Sequence, residues 1–145
     1  MKINNENKNI QFSPTDLNNF VSCKYIIKNS LLAKDLNLKK KEITADQKLR
    51  IEHGNKHEEN HLQILKKKNK KNITINPKQP SQKKFEDTID ALKKGYDLIY
   101  KAYLRDGDFG GELDFLLKTK DKSNLGNYSY EVYDTKVTKN LKPKH

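Results

Sequence analysis

The chain has very little cysteine and arginine, no tryptophan, and no long run of apolar residues. Its single cysteine, Cys23, excludes an internal disulfide bond and fits a reducing compartment. No segment is apolar over the length that a membrane-spanning helix needs, and residues 1–10 lack the hydrophobic segment of a signal peptide. The sequence therefore argues against a disulfide scaffold and predicts a cytoplasmic protein with no membrane partner.

Basic residues are in excess, because 30 lysines and arginines stand against 19 aspartates and glutamates, for a net charge of +11. Such a charge predicts an anionic partner, with nucleic acid as the first candidate. Only Arg50 and Arg105 are arginines, and the abundance of lysine, asparagine and isoleucine fits an AT-rich genome equally well. Solvated surface is therefore an equal alternative for the candidate DNA-binding residues, which are Lys66, Lys67, Lys68, Lys70, Lys71 and Lys139.

Length and composition predict one domain with a modest core, because the chain has 145 residues, of which 33% are hydrophobic. This polar composition predicts a disordered N-terminus over residues 1–11. Ser13 as N-cap, followed by Pro14, opens a first helix that extends toward Leu32. The capping-box pattern of residues 44–47 opens a second helix toward Lys67, and a third helix ends at Gly95.

Three strands follow these helices, at residues 97–104, 109–119 and 128–138, and a short strand at 73–75 is a further option. An Asp-Gly turn within residues 105–108 joins the first two strands. Helices followed by an antiparallel meander predict an α+β fold over residues 12–145, with N-terminal helices packed on a three-stranded sheet. The third strand would be an uncovered sheet edge, so the chain is expected to be the N-terminal portion of a longer protein.

The last two strands carry acids where a half-buried strand prefers apolar residues. A hairpin turn centred near Asn124 sets residues whose numbers sum to about 248 opposite one another, so Asp114 faces Asp134 and Glu112 faces Lys136. Two adjacent carboxylates repel each other unless a cation holds them together. Each residue alone also fits a solvated surface, but their shared face predicts a metal site for phosphodiester cleavage, with Lys136 beside it.

The second helix carries a stripe at steps of three and four residues, and this stripe predicts that His57 faces inward. A helix over the sheet could bring His57 to the aspartate pair, although a partly buried histidine without a metal is the ordinary alternative. Gly54 lies within the same helix, where glycine costs about 1 kcal/mol relative to alanine. We therefore expect close packing or a ligand at Gly54. The stripe consists of Leu49, His53, His57, Asn60 and Ile64.

Three short motifs occur in order: Gly-x-x-His-Glu at 54–58, Gly-x-x-Asp at 111–114, and Asp-x-Lys at 134–136. They resemble the first three motifs of RecB-like nucleases in the PD-(D/E)xK superfamily. Residues 13–23 resemble the opening of that group, which includes helicase-linked and CRISPR-associated exonucleases. Residues 130–136 are most similar to a predicted bacterial RecB-like nuclease branch that is often fused to a ribonuclease-H-like domain. The resemblance covers most of residues 12–145.

The resemblance implies an α/β restriction-endonuclease-like core and a nuclease that uses Mg²⁺ or Mn²⁺. It implies that His57, Asp114, Asp134 and the carbonyl of Thr135 bind the metal, and that Asp114 and Asp134 act with Lys136 in catalysis. Glu58, next to His57, would support the site.

Two features of the family reach beyond this sequence. A helix with a Gln-x-x-x-Tyr motif and a further strand would follow, so the resemblance implies a fused or partner C-terminal nuclease or helicase domain. Some relatives hold an iron–sulfur cluster through four cysteines, and Cys23 matches the first of them. The cluster is therefore expected only in a longer form, since four thiolates are the usual requirement. A small buried hydrophobe is the alternative for Cys23.

The resulting functional prediction is a metal-dependent deoxyribonuclease domain, or part of one, acting in DNA repair, recombination or defence. A catalytically inactive nucleic-acid-binding module of the same fold is the alternative, and its DNA binding would need no divalent ion. A third hypothesis is an interaction protein that uses the bare sheet edge. The choice of DNA or RNA, the mode of cleavage and the oligomeric state stay open.

Overall fold

The computed structural model describes residues 2–3, 10–39 and 41–137. Its elements confirm the predicted α+β class. The helices are α1 (Pro14–Ser22), α2 (Lys24–Asp35), α3 (Ala45–Lys68) and α4 (Ser81–Lys93). The strands are β1 (Lys2–Ile3), β2 (Ile10–Gln11), β3 (Asn72–Thr74), β4 (Leu98–Asp106), β5 (Phe109–Thr119) and β6 (Ser129–Tyr133).

Four strands form the main sheet, in the order β3-β4-β5-β6. β3 runs parallel to β4, whereas β6 runs antiparallel to β5. The prediction of a three-stranded antiparallel meander was therefore incomplete. Parallel neighbours need a crossover connection, and α4 lies between β3 and β4 in the chain and supplies it. As predicted, β6 is a strand at the sheet edge.

A second, two-stranded sheet pairs β1 with β2 in antiparallel fashion. The sequence predicts disorder over residues 1–11, whereas the structure pairs residues 2–3 with 10–11. Residues 1 and 4–9 lie outside the described part of the chain. Among the residues that the structure describes, no helix combines the length and the apolar character that crossing a bilayer requires.

The backbone divides into two compact units. Unit 1 combines the ranges Met1–Glu42 and Tyr103–Glu112, and unit 2 combines Ile43–Ala102 and Leu113–His145. The sequence predicts a single domain over residues 12–145. The residues with predicted roles at the Mg²⁺ or Mn²⁺ site all belong to unit 2.

Unit 1 contains α1 and α2. The predicted first helix is broken at Cys23, whose extended backbone (φ −162°, ψ 115°) ends α1 and precedes α2. Cys23 is exposed, so its interpretation as a small buried hydrophobe was wrong. Gly111 lies close to Pro14 at the start of α1, and a Cβ added to this glycine would stand 2.8 Å from Pro14 Cδ. The glycine of the Gly-x-x-Asp motif is thus required by backbone packing.

Unit 2 holds a hydrophobic core between α3 and the sheet. Leu62 and Leu65 of α3 pack with Leu98 of β4 and Phe115 of β5. Phe115 has no exposed surface, and its ring stacks on Tyr100 with 5.3 Å between ring centroids. The capping box of α3 at Thr44 and Gln47 is present as predicted. This packing fixes α3 against the strands that carry the acidic residues.

The start of β6 is tied to the end of α4 by tyrosine hydroxyls. Tyr128 donates to the carbonyls of Leu92 and Lys93 at 3.1 and 3.2 Å, and Tyr130 donates to that of Tyr96 at 2.7 Å. These carbonyls lie at or just after the C-terminus of α4, where no further backbone N–H group of the helix is available to donate to them. β6 is therefore held in place ahead of Asp134.

Candidate carboxylate site

Asp114 and Asp134 come together as the sequence predicts. β5 and β6 pair with Phe115 opposite Tyr133 and Thr119 opposite Ser129, which is the predicted register. Asp134 follows the last residue of β6 by one position, and its carboxyl group forms a hydrogen bond with that of Asp114. The pairing of β5 with β6 therefore brings Asp114 and Asp134 together.

The two aspartates have opposite pKa shifts. Burial raises the pKa of Asp114, and the hydrogen bond with Asp134 raises it further, while the nearby Lys101 ammonium opposes both effects. Burial also acts to raise the pKa of Asp134, but hydrogen bonds with Asp114 and Lys136 outweigh it, so this pKa is lowered. The contact between the two carboxyl groups therefore shifts their pKa values in opposite directions. Such carboxyl groups exchange protons as a pair rather than singly.

Lys136 lies beside the aspartate pair, where its ammonium forms an ion pair with Asp134. Both side chains are about half exposed, at 54% and 45%. An ion pair of this exposure adds at most about 1 kcal/mol to stability. Its main consequence is to hold a cation next to the acidic pair. The predicted pairing of Lys136 with Glu112 stays a prediction.

Lys101, which the sequence analysis missed, is the best-buried cation at the aspartates. Its ammonium lies 2.6 Å from Glu58 Oε1 and 3.1 Å from Asp114 Oδ1, and its side chain is 21% exposed. Burial alone lowers the pKa of Lys101, but the contacts with Glu58 and Asp114 outweigh burial and raise it above its usual value.

The backbone of Lys101 is also unusual. Its φ is +57°, in the left-handed region, within strand β4. A residue with a side chain in such a conformation costs on the order of 1–3 kcal/mol and persists only where its surroundings enforce it. Lys101 is therefore held in place by its contacts.

Glu58 belongs to the centre of the site rather than to its periphery. Its side chain is 14% exposed, and its buried Oε1 forms an ion pair with the Lys101 ammonium. Burial and a hydrogen bond with Glu58 raise the pKa of Tyr100 to about 12. From the sequence alone, Glu58 was expected only to support the site.

His57 is exposed. The stripe of α3 that was predicted to face inward lies on the exposed side of the helix, so that prediction was wrong. Of that stripe Leu49 and Ile64, for example, are 54% and 51% exposed. The face turned to the protein interior instead consists of Gly54, Glu58, His61, Leu62 and Leu65. Within residues 2–3, 10–39 and 41–137, no three His, Cys, Asp or Glu side chains stand close enough together to share a metal ion. Metal binding by His57 stays a prediction.

A pocket of about 490 Å³ lies beside the Asp-x-Lys motif. Gly54 forms part of its wall, and a Cβ added there would have no neighbour within 4 Å. Close packing therefore does not explain Gly54, and the expectation of a ligand stays a prediction. The other residues that line the pocket are Leu49, Arg50, His53, Thr135, Lys136 and Val137.

Replacing Gly54 with alanine is expected to stabilise the chain by up to about 1 kcal/mol, because alanine is the better helix former and its methyl group meets open space. Urea unfolding monitored by circular dichroism measures the change. Gly111→Ala is the matched control and should destabilise, since its Cβ would clash with Pro14. Loss of stability in Gly54→Ala would show that α3 packs differently around this position.

The basic run at the end of α3 has structural reasons to be there. Lys66, Lys67 and Lys68 occupy the last turn, where cations interact favourably with the negative end of the helix dipole and stabilise the helix. The ammonium of Lys71 donates to the carbonyl of Lys94 at the end of α4. Exposed members of the run are Lys67, Lys68, Lys70 and Lys71, so DNA contact by them stays a prediction. Lys139 lies outside the described residues.

Comparison of this chain with protein-family models, with curated proteins and with solved structures finds no match.

Proposed function

We propose that this chain carries the carboxylate site of a divalent-metal-dependent DNA nuclease with a restriction-endonuclease-like core. The proposal depends on one observation above all. Asp114 and Asp134 form a hydrogen-bonded pair, and Lys136 lies beside them. The two aspartates come from neighbouring strand segments that are separated in the chain. The order of the three motifs in the sequence supports the same reading.

The residues fit a hard divalent cation. Carboxylate oxygens are the donors that Mg²⁺ prefers, and Mg²⁺ is commonly held by one or two carboxylates with water and substrate phosphate completing its shell. Asp114 and Asp134 supply such a pair, whereas the buried Oε1 of Glu58 is contacted by the Lys101 ammonium at 2.6 Å. His57 and the Thr135 carbonyl are the further donors that the family resemblance suggests.

A bound Mg²⁺ or Mn²⁺ would supply Lewis-acid chemistry and an activated water for phosphodiester hydrolysis. Asp114 and Asp134 would hold the ion through their carboxylate oxygens. Lys136 would place its ammonium where charge develops on the phosphate, a role that requires only a positioned cation. Exposed lysines of the basic run would hold the DNA backbone without reading its sequence.

A nucleic-acid-binding module without turnover is the second candidate. The contact between Lys101 and the acids favours it, because an ammonium already balances two of the three carboxylates. Such a module would bind DNA with the same affinity in EDTA as in Mn²⁺. Binding that weakens with added salt is expected in both cases, so only the dependence on divalent ions separates the two.

Titration with Mn²⁺ tests the proposed function. Wild-type protein should bind the ion, and Asp114→Ala and Asp134→Ala should each lose that binding, because each removes a carboxylate ligand. Asp121→Ala is the matched control, since Asp121 is an exposed aspartate of the same unit. Lys136→Ala should keep Mn²⁺ binding and reduce cleavage of a labelled oligonucleotide by about 100-fold or more. Unchanged metal affinity in both alanine variants of the pair would contradict the proposal.

A further inference from the structure

Lys101 places a buried cation at the position where carboxylates from two elements converge. Glu58 comes from α3 and Asp114 from β5, and the Lys101 ammonium contacts both, at 2.6 and 3.1 Å. The three side chains are between 14% and 26% exposed, so water screens the interaction only in part. Lys136, by comparison, forms its ion pair with Asp134 while its side chain is 54% exposed.

The backbone of Lys101 is independent evidence for the same point. Among the described residues, the non-glycine positions with positive φ are Asn37 and Lys101. Asn37 follows the end of α2, where asparagine commonly adopts this conformation. Lys101 instead lies inside strand β4, where a positive φ costs energy. This backbone conformation accompanies the contacts of the Lys101 ammonium with Glu58 and Asp114.

We propose that Lys101 is the resident counter-ion of the carboxylate site, and that a divalent cation binds Asp114 by displacing the Lys101 ammonium. The counter-ion role stands on the geometry alone, whereas the displacement rests on the proposed function. Without a cation, the partly buried carboxylates of Glu58 and Asp114 would repel each other. With Lys101 in place, an added Mg²⁺ or Mn²⁺ meets a like charge at the oxygen that it must bind.

Because the ammonium must be displaced, Lys101 lowers the affinity of the site for a divalent ion. A monovalent ammonium and a divalent ion cannot both stay within about 3 Å of one carboxylate oxygen without strong repulsion, because that repulsion scales with the product of the charges. Lys101 has a four-carbon stem and can turn away toward solvent once the ion is bound. Removing the ammonium while keeping the stem should therefore favour the metal.

Calorimetric titration of the full chain with Mn²⁺ tests the displacement. Lys101→Met keeps the length of the side chain and removes the charge, so its Mn²⁺ affinity should exceed that of the wild type by about 10-fold or more. Lys101→Gly is the second variant. Glycine adopts a positive φ without strain, so this variant should fold even if Lys101→Met does not. Lys122→Met, at an exposed lysine of the same unit, is the control and should leave the affinity unchanged. Unchanged or weaker Mn²⁺ binding in both Lys101 variants would overturn the displacement.

Thermal unfolding in EDTA tests the counter-ion role without any metal. Lys101→Met should lower the melting temperature, and adding Glu58→Gln to it should recover at least half of the loss, because a neutral partner needs no counter-ion. Failure of this recovery would overturn the counter-ion role. If no variant binds Mn²⁺ at all, the proposed function and the displacement both fail. The unfolding experiment then decides the counter-ion role separately.

Discussion

Replacing Asp134 with asparagine is expected to stabilise the metal-free protein at pH 8 and to abolish its binding of Mn²⁺. The side-chain amide of asparagine can donate a hydrogen bond to the ionised carboxylate of Asp114. The substitution also removes the repulsion between two carboxylates. The gain should reach at most about 1 kcal/mol, because the partly exposed ion pair with Lys136 is lost at the same time. Mn²⁺ affinity should fall by about 100-fold or more, because a direct carboxylate ligand is gone.

The pH dependence of this stability difference gives a second readout. The pKa of Asp114 is raised in the folded chain, so its stabilising contribution is present at low pH and is lost as the pH rises through that raised pKa. The pKa of Asp134 is lowered, so Asp134 stays ionised while Asp114 titrates. The advantage of Asp134→Asn over the wild type should therefore grow as the pH rises through the raised pKa of Asp114.

Urea unfolding at several pH values, with Mn²⁺ titration of the same samples, measures both effects. Asp121→Asn is the control, since it makes the same chemical change at an exposed site of the same unit. A variant that binds Mn²⁺ like the wild type would remove Asp134 from the metal site. A stability difference that shrinks with rising pH would contradict the raised pKa of Asp114.

Replacing Phe115 with alanine is expected to cost about 3–5 kcal/mol of unfolding free energy. Phe115 is completely buried, packs against Leu62, Leu65 and Leu98, and stacks on Tyr100, so its removal leaves a cavity that rigid neighbours cannot fill. Urea unfolding monitored by circular dichroism measures the loss. A cost below about 1 kcal/mol would show that the core between α3 and the sheet does not depend on this ring.

Phe109→Ala is the matched control for this core substitution. Phe109 belongs to the same strand, β5, and its side chain is 53% exposed. Its replacement should change the stability of the chain by less than about 1 kcal/mol. Equal losses in the two variants would mean that burial does not distinguish these phenylalanines.

Features set by neighbouring residues were predictable from the sequence. The capping boxes at Ser13 and Thr44, the glycine at the end of α4, and strand β5 with its bounds all follow from local signals. The hairpin register also follows, because the length of the polar turn and the alternation of the strands leave few ways to pair them. For that reason the meeting of Asp114 and Asp134 could be predicted.

The inward face of α3 could not be predicted reliably. The helix is so polar that two stripes compete, one through Leu49 and Ile64 and one through Leu62 and Leu65. Burial against Phe115 and Leu98 selects the second stripe. Since His57 and Glu58 are neighbours in sequence, this choice turns Glu58 toward the site and leaves His57 exposed. A lysine inside the apolar strand β4 was the available signal for Lys101.

The sequence by itself determined the α+β class, the bounds of β5, the start of α3 and the register that pairs Asp114 with Asp134, because each depends on interactions between residues close along the chain. The tertiary structure alone decided the parallel strand β3, the role of Glu58 and the position of the Lys101 ammonium. These depend on contacts between distant segments. Their energies are set by burial and by the proximity of charges in three dimensions, which no local pattern encodes.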